Sequence, residues 1–596
     1  MAPSSHTNGA WDSIKLKTLN GETDGATGPA IEVPILIVGS GPTGLLMAYM
    51  LSRLGVKCLV VEKYFSRLEA PKAHAINPRS LEIVRQFGLD TTTIRRLGSS
   101  RHEAFWVNFV TNLSGQKIGS LPYERMDKEV LADTPEMIHN IPQPVLEQFI
   151  ADHLVHDSNV EIKKGSSFVS CTQEDDRVST IVEERGSKSR YSDSYEAMMT
   201  IHINTDLRPV LGTQTGMLHW IMDPAVSGFI IGYDLSGNQV LICNFDAKKH
   251  PAESWTSDDA RRVVTPAIGK EIPFEIVSFR PWISSRKVAT RFQEGSVFLC
   301  GDAAHAFPPT GGLGLNCGLA DVHNLAYKLA GNLQGWGGVS LLQSYESERR
   351  HIAELYSQQS VKNGLKIFGF LKTLGLAADD DVESARQMLL KKVNEPEMQA
   401  TIEEGVESQR EHFDNLELHI GYVYGSNYQP PHASHFTPKF VPGGRLPHAW
   451  IRPSRLHIID SLLKPVDVSY VWDFSFSEQE ARRFSTLDLV PRDGFALFVT
   501  KEGGWHRRFE RIKQRLFLRN IKIELFVVGE HFEFAIPVDG EKWAERAGLA
   551  EGGGLLIRPD QHILMRFKVD AGGVEVVNSV LEHLGVEPTD SDEYRI

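Results

Sequence analysis

Cysteine is scarce in this chain, and its arrangement excludes two classes of protein. The 596 residues include only five cysteines, and none of them forms a C-x-x-C pair or a metal-ligand cluster. A disulfide framework needs a denser, even-numbered set, and a structural metal site needs grouped ligands. We therefore predict a reducing compartment, no metal, and buried free thiols at Cys58, Cys171, Cys243, Cys300 and Cys317.

Long apolar runs and an excess of positive charge are also missing. No uninterrupted apolar stretch reaches the roughly 20 residues that span a bilayer. Residues 1–30 are polar and lack the apolar core of a signal peptide, so we expect a disordered leader and a cytoplasmic protein. The net charge of -13 argues against general nucleic-acid binding and against docking to an anionic membrane. Small molecules are the expected partners.

The most informative motif that is present runs from Ile35 to Glu62. It reads ILIVGSGPTGLLMAYMLSRLGVKCLVVE, an apolar run, a G-x-G-x-x-G turn, an amphipathic stretch and a second apolar run that ends in an acid. Gly39 permits a tight turn, Gly41 lets the backbone approach a pyrophosphate, and Gly44 allows close packing of the helix on the sheet. Glu62 can hydrogen-bond a ribose hydroxyl. This order predicts a β-α-β unit that binds a dinucleotide at a helix N-terminus.

A second glycine-rich motif lies between Ser296 and Ala330. The apolar run VFLC predicts a buried strand that ends at Gly301 and Asp302, followed by a Pro/Gly loop and a helix that opens near Asn316. The loop glycines let the backbone lie flat against a planar ring, and the helix N-terminus can stabilise negative charge on it.

Between the two motifs, the pattern changes from helical to alternating. Helices are predicted from Pro78 and within 140–155, and short alternating runs in 195–245 predict an antiparallel sheet.

Together the two motifs resemble those of FAD-dependent aromatic hydroxylases of the phenol 2-monooxygenase and 2,4-dichlorophenol 6-monooxygenase family, in the form used in fungal secondary metabolism. The later sequence SYESERR fits the same family. The resemblance implies a monooxygenase that uses FAD, NAD(P)H and O2. Such an enzyme hydroxylates a phenolic or polyketide-derived aromatic through a flavin C4a-hydroperoxide.

The resemblance also implies roles for individual residues. It assigns the adenosine half of FAD to Gly39, Gly41, Gly44 and Glu62, and further cofactor contacts to Arg79 and Gln143. It places Asp302 at the ribityl or diphosphate region. The isoalloxazine would be lined by Pro309, Gly312, Gly314, Leu315 and Asn316.

His74 is the candidate catalytic residue, because family members carry an aspartate or a histidine at its position, near the substrate oxygen. A base or hydrogen-bond partner there favours the more nucleophilic phenolate. The alternative is that His74 only braces its loop. We expect His305 to hold the loop to the sheet and Arg280 to be solvated. Trp220, Phe229 and Trp282 are either walls of the substrate pocket or ordinary sheet core.

The expected fold class is α/β, with two to four domains for a chain of this length. After the leader, we predict a Rossmann-like FAD-binding domain at 31–193 and 284–360, with an inserted antiparallel substrate-domain sheet at 194–283. A helical connection at 361–435 leads to a thioredoxin-like C-terminal domain at 436–596. That domain has no cysteine, so we expect it to pack or to form dimer contacts rather than to do dithiol chemistry.

One departure from the family pattern is conspicuous. Relatives carry an apolar strand and a Cys-Asp-Gly motif before the substrate-domain sheet, and neither occurs near Tyr191 to Asp193. We infer a missing segment there, from alternative splicing or an erroneous gene model. Two alternatives to an aromatic hydroxylase therefore stay open: a non-catalytic or truncated paralogue, and a flavin Baeyer-Villiger oxygenase.

Overall fold

The structure is a computed structural model that describes residues 14–19, 31–66, 73–174, 177–184, 197–245, 247, 250–375 and 381–587. Among these residues, no helix combines the length and the apolar character needed to cross a bilayer. The five cysteines are unpaired; Cys58, Cys243 and Cys317 are buried, Cys300 is half-buried, and Cys171 is exposed, against our expectation. The interval 185–196, where we infer a missing segment, lies outside the described residues.

The N-terminal part of the chain builds the predicted β-α-β unit. Its strands are β1 (Ile14–Leu19), β2 (Ile31–Val33), β3 (Ile35–Val38), β4 (Cys58–Glu62), β5 (Ala75–Ile76), β6 (Trp106–Val110), β7 (Lys117–Pro122), β8 (His139–Asn140), β9 (Val160–Lys164), β10 (Ser166–Gln173) and β11 (Val178–Glu184). Its helices are α1 (Pro42–Arg53), α2 (Pro78–Gln86), α3 (Thr91–Leu97), α4 (Arg101–Ala104) and α5 (Gln143–Asp152). Strands β3, β4 and β9 form a parallel sheet in that order.

Residues 14–19 contradict the prediction of a wholly disordered leader. Strand β1 pairs parallel with β11 and antiparallel with β2, within a four-stranded sheet. Its sequence IKLKTL alternates apolar and polar residues at Ile14, Lys15, Leu16 and Lys17. This period of two is a strand signal that the polar composition of the surrounding residues hid.

The strands of the substrate-domain sheet within 197–283 pair antiparallel, as predicted. Its elements are β12 (Ala197–Asn204), α6 (Arg208–Leu211), β13 (Leu218–Asp223), β14 (Val226–Asp234), β15 (Asn238–Asn244), α7 (Ser257–Ile268) and β16 (Glu275–Ile283). The strand order is β16-β12-β15-β14-β13-β6-β7. The sheet thus recruits β6 and β7, which lie before the predicted boundary at 194, and β6 joins β13 in parallel. Trp220 on β13 stands opposite Phe229 on β14.

The chain then returns to the first domain. The next elements are β17 (Lys287–Val288), β18 (Gln293–Glu294), β19 (Val297–Phe298), β20 (His305–Ala306), α8 (Leu313–Leu333), α9 (Val339–Thr373), α10 (Val382–Asn394), α11 (Gln399–Glu407), α12 (Arg410–Phe413) and α13 (Leu416–Ile420). Of the predicted strand VFLC, only Val297–Phe298 forms a strand, β19. Its one described partner is the two-residue strand β18. Helix α8 begins at Leu313, before the predicted start near Asn316, because Gly312 caps it in the left-handed conformation.

The C-terminal part forms two further sheets. Its elements are β21 (Trp450–Pro453), α14 (Phe476–Glu480), β22 (Phe484–Ser485), β23 (Gly494–Val499), α15 (Trp505–Phe517), β24 (Lys522–Val527), β25 (Phe532–Phe534), α16 (Pro537–Arg546), β26 (Gly554–Ile557), β27 (Ile563–Phe567) and α17 (Gly573–Leu584). One sheet has the order β24-β23-β26-β27, with β23 parallel to β24 and the other pairs antiparallel.

Buried ion pairs tie this C-terminal part to α2. Arg85 makes a two-pronged contact with Asp488, with both N–O distances 2.9 Å. Arg445 pairs with Glu82, and both side chains are 1% exposed. The C-terminal part is therefore packed on the first domain through desolvated charges, and removing one partner of a pair would leave the other charge buried and uncompensated.

Candidate active site

The first glycine loop joins β3 to α1 and has the geometry of an anion site. Gly39 has φ +102°, and a Cβ on Gly44 would lie 2.0 Å from the Gly39 carbonyl oxygen. Gly41 caps α1 without a side-chain hydrogen bond, and the first turn has no acidic residue. The first N–H groups of the helix are therefore available for a bound anion such as a diphosphate.

Glu62, at the end of β4, fixes the position of this loop. Its carboxylate accepts hydrogen bonds from the Ser40 backbone N–H at 2.8 Å and from the Tyr64 N–H at 2.9 Å. Hydrogen bonds from backbone N–H groups to a carboxylate are strong because they are charge-assisted. Glu62 thus lies beside the glycine loop, where a ribose contact remains a prediction.

The second glycine loop packs on the same end of α1. A Cβ on Gly301 would lie 2.7 Å from Thr43 Oγ1, and one on Gly318 would lie 2.6 Å from the same atom. Asp302 and Pro309 are exposed, and Gly312 has φ +62°. The two sequence motifs, far apart in the chain, therefore meet at the first turn of α1.

Asn316 links the second loop to the segment that carries His74. Its Oδ1 accepts from the Asn77 N–H at 3.0 Å and from Ser80 Oγ at 2.8 Å. Its Nδ2 donates to the Ala75 carbonyl at 2.9 Å and to the Gly312 carbonyl at 2.8 Å. Asn316 is buried, so its side chain positions the second glycine loop through contacts within the protein.

The His305 side chain holds its loop to helix α8, whereas we expected it to hold the loop to the sheet. His305 Nε2 lies 2.8 Å from Asp321 Oδ2. Asp321 also accepts from Arg349 Nε at 2.8 Å and from the Gly301 N–H at 3.1 Å. Burial alone would lower the pKa of His305, but Cys317 and Asp321 hold it well above its usual value. His305, Cys317 and Asp321 lie close enough to ligate a metal ion. The Arg349 guanidinium, however, already bonds Asp321 and Cys317 and compensates the carboxylate charge.

His74 belongs to an aromatic group beside the antiparallel sheet. Its Nε2 lies 3.1 Å from the Tyr123 hydroxyl, and the ring of Tyr233 stands edge-on at a centroid distance of 5.7 Å. Burial lowers the pKa of His74 to about 4 and raises the pKa of Tyr123 well above its usual value. At neutral pH both groups are therefore uncharged, and the tyrosine keeps its proton.

The three predicted wall residues lie in or against one apolar cluster, which also contains Tyr123 and Tyr233. Trp220 and Phe229 have ring centroids 4.8 Å apart. Trp282 donates through Nε1 to Thr200 Oγ1 at 2.8 Å, on the strand pair β12–β16. Arg280 is exposed. Membership of a substrate pocket remains a prediction for the three aromatic residues.

Arg79 and Gln143 make protein contacts. The Arg79 guanidinium donates to Gln561 Oε1 at 2.7 Å and to the Asp560 carbonyl at 2.8 Å, and it is 2% exposed. Gln143 is half-buried and donates to Glu147 at 2.7 Å. In the contacts described, Arg79 therefore serves the junction with the C-terminal part, while its cofactor contact stays a prediction.

Sequence reasoning missed Tyr123, Tyr233 and the cap residue Asn77. Asn77 accepts from the Ser80 N–H and so starts α2; the Asn-Pro pair at 77–78 is a recognised signal for such a cap. Nothing in the local sequence separates the two tyrosines from the other aromatic residues of the sheet.

The chain is similar to a known protein family and to curated enzymes. The family described as the FAD binding domain matches residues 32–195 and 190–360, in two parts that meet at 190–195. A 2,4-dichlorophenol 6-monooxygenase of Delftia acidovorans is 28% identical over 90% of this chain and 95% of its own length. A tetracenomycin B2 monooxygenase-dioxygenase of Streptomyces olivaceus is 26% identical, with 92% and 97% covered.

Solved structures show the same fold. The flavin-dependent monooxygenase PieE, crystallised with FAD and substrate, superposes with a TM-score of 0.76 at 22% identity, covering 93% of this chain and 99% of PieE. The matched family spans more than half of the 596 residues. The chain therefore belongs to the FAD-binding-domain family and is a flavoprotein monooxygenase, as its two glycine motifs predicted.

Proposed function

We propose that this protein uses FAD, NAD(P)H and O2 to hydroxylate a phenolic or polyketide-derived aromatic ring in secondary-metabolite biosynthesis. The observation that carries the proposal is the His74–Tyr123 pair. It sits one residue from Ala75, whose carbonyl Asn316 ties to the second glycine loop. A hydrogen-bonding pair for the substrate oxygen thus lies next to the loop proposed to hold the flavin ring.

The residues present fit FAD. The uncapped N-terminus of α1, with Gly39, Gly41 and Gly44, would hold the diphosphate, and Glu62 the ribose. The exposed Asp302 would bind the ribityl region, and the loop from Pro309 through Gly312, Gly314 and Leu315 would lie along the ring. When bound, FAD accepts a hydride from NAD(P)H and delivers one oxygen atom from O2.

His74 would accept a hydrogen bond from the substrate hydroxyl. Because burial disfavours its charged form, full proton transfer is favoured only if the phenolate stays beside the imidazolium and compensates its charge. The neutral imidazole would donate its Nε2–H to the Tyr123 oxygen, which fixes the orientation of the ring and leaves Nδ1 to accept from the substrate hydroxyl. The ring carbon then gains electron density from the partly deprotonated oxygen, while the walls around Trp220 and Phe229 exclude water.

Finer features belong to the same proposal. The order β24-β23-β26-β27, with one parallel and two antiparallel pairs, supports a thioredoxin-like C-terminal domain. Because it has no cysteine, we assign it to packing or to homodimer contacts. The domain boundaries predicted from the sequence stay part of the proposal, with β6 and β7 assigned to the substrate sheet because they extend it.

The test is substrate-stimulated NADPH oxidation by the purified, FAD-loaded protein with a panel of substituted phenols and hydroxylated polycyclic aromatics. Products should gain one oxygen atom derived from labelled O2 and placed on the ring. Insertion of that atom next to a carbonyl would instead identify the Baeyer-Villiger alternative. The variant His74→Gln should lose about 100-fold or more in coupled hydroxylation. The exposed His156, changed to Gln, is the matched control. Equal activity of both variants would contradict the role of His74.

A further inference from the structure

The start of strand β6 and the C-terminal part of the chain enclose a cavity of about 340 Å³. Its walls come from three separate segments, at 101–106, 213–215 and 470–472. None of these segments belongs to the site proposed for FAD, and neither His74 nor Trp220 lines the cavity. Pockets that hold small molecules begin at about 300 Å³, so this cavity has room for one small fused-ring molecule. We call it the outer cavity.

The outer cavity has aromatic walls. It is lined by Phe105, Trp106, Tyr470 and Trp472. Trp472 is 73% exposed, and Trp106 is 39% exposed. The His102 ring lies alongside Trp472, with ring centroids 6.0 Å apart and an angle of 23° between the planes. Aromatic faces stack with other planar rings and contribute free energy beyond the area that they bury. Exposed rings grouped around one cavity therefore favour a planar aromatic ligand.

The polar groups of the wall favour a ligand without net charge. Arg101 forms an ion pair with Asp473 at 3.2 Å, and its Nε donates to the Met126 carbonyl oxygen at 2.7 Å. The charge of Arg101 is therefore compensated within the protein. Thr213 and Thr215 also line the outer cavity, and neither hydroxyl bonds another described residue. Because a threonine hydroxyl can both donate and accept a hydrogen bond, a ligand that carries hydroxyl groups matches this wall.

Backbone hydrogen bonds hold the wall in place and connect it to the His74 group. The Phe105 carbonyl accepts from the Tyr123 N–H at 2.8 Å. The Trp106 carbonyl accepts from the Met217 N–H at 2.9 Å. The Tyr123 hydroxyl is the partner of His74 Nε2. A wall that is fixed before binding loses little conformational freedom when a ligand enters. The outer cavity is therefore preformed, and its wall lies one backbone hydrogen bond from Tyr123.

We propose that the outer cavity is a second binding site, for a neutral, planar, hydroxylated aromatic molecule. The ligand would pack against the Trp472 indole and hydrogen-bond the threonine hydroxyls. This is the chemical class of both the proposed substrate and its hydroxylated product, and the inference rests on the proposed function only for that choice among aromatic ligands. The bound molecule would lie outside the reaction pocket and beside the segment that positions His74.

Binding is tested on the FAD-loaded, full-length protein without NADPH, so that no ligand is converted. The probe that resembles a substrate is 2-naphthol, and the probe that resembles a product is 2,3-dihydroxynaphthalene. In isothermal titration, wild type should show one binding event per chain that Trp472→Ala weakens by about 10-fold or more. Because Trp472 is mostly exposed, this variant should keep the Tm of wild type. The probe that binds more tightly in this event assigns the site to the substrate or to the product.

A spectroscopic signal locates the binding event. The indole N–H resonance of Trp472, identified by its absence in Trp472→Phe, should shift as 2-naphthol is added. Trp472→Phe keeps an aromatic face and should bind 2-naphthol within about 3-fold of wild type. Phe476→Ala is the matched control, because Phe476 is 79% exposed but does not line the outer cavity. It should leave the affinity for both probes unchanged.

Two further comparisons test the chemical class of the ligand. Replacing both Thr213 and Thr215 by valine keeps the side-chain shape and removes the hydroxyls. This double variant should bind 2-naphthol about 2- to 10-fold more weakly and bind naphthalene as wild type does. The anion 2-naphthoate should bind wild type more weakly than 2-naphthol, because Arg101 is already paired.

Equal affinity of wild type and Trp472→Ala for both probes would overturn the inference. So would tighter binding of 2-naphthoate than of 2-naphthol. A protein that shows Trp472-dependent binding but no hydroxylation would leave the outer cavity established as a site and refute the proposed function alone. Hydroxylation without such binding would refute the second site alone.

Discussion

Replacing Asn316 by alanine removes the side chain that links the second glycine loop to the segment that carries His74. Four hydrogen bonds of 2.8 to 3.0 Å are lost, to the Asn77 N–H, Ser80 Oγ, and the Ala75 and Gly312 carbonyls. A neutral hydrogen bond contributes about 0.5–1.5 kcal/mol net, so the loss is about 2–6 kcal/mol. Alanine returns a few tenths of a kcal/mol through its helix propensity. We expect local opening to become easier by about 2–5 kcal/mol.

The assay is hydrogen exchange of the amides in 75–82 and 312–318, measured on the protein without flavin. Since each 1.4 kcal/mol is a factor of ten, exchange should accelerate by about 30-fold to 5,000-fold. Asn332→Ala is the matched control, because Asn332 lies in the same helix and makes one hydrogen bond of 3.2 Å, to the Gly337 carbonyl. If the two variants exchange alike in both segments, Asn316 does not hold the site together.

Three further outcomes test other parts of the structure. Gly44→Ala should abolish FAD binding, because its Cβ would lie 2.0 Å from a carbonyl oxygen, whereas Gly369→Ala in open space should bind normally; equilibrium titration with FAD separates them, and equal affinities would contradict the packing. Burial lowers the pKa of His219 to about 4, so the unfolded chain binds more protons between about pH 4 and 6.5. The stability of wild type relative to His219→Gln should therefore fall by about 1.4 kcal/mol per pH unit on acidification through this window; a pH-independent difference in unfolding would refute the burial of a neutral imidazole. Asp488→Asn should destabilise the junction with Arg85 by about 3–5 kcal/mol, seen as a lower Tm, while the exposed Asp258→Asn should leave Tm unchanged.

Local sequence predicted what depends on local geometry. The turn at Gly39, the close packing at Gly44 and the antiparallel pairing of β13 with β14 follow from residue type and spacing. The start of α8 was misplaced by a few residues, because helix boundaries depend on backbone conformation at the cap, here Gly312.

Contacts between distant residues could not be read from the sequence. The cofactor contact of Arg79 stays a prediction, but its bond to Gln561, 482 residues away, was not predicted. Tyr123 reaches His74 across 49 residues. It directly follows β7, which lies with β6 in a sheet whose five other strands come later in the chain. No periodicity or motif specifies such pairs, because they arise only when separate layers pack.

The buried charges between α2 and the C-terminal part constrain how this architecture can be recombined. Arg445 lies after the two glycine motifs in the chain, and Glu82 lies between them. Both side chains are buried, so water cannot compensate either charge. A chimera that takes residues beyond 436 from a relative without the matching α2 could lack one partner of this ion pair. The other charge would then be buried without a counter-charge. Inheritance of the two regions is thereby coupled, and engineers who graft new substrate sheets into this scaffold should keep both from one parent.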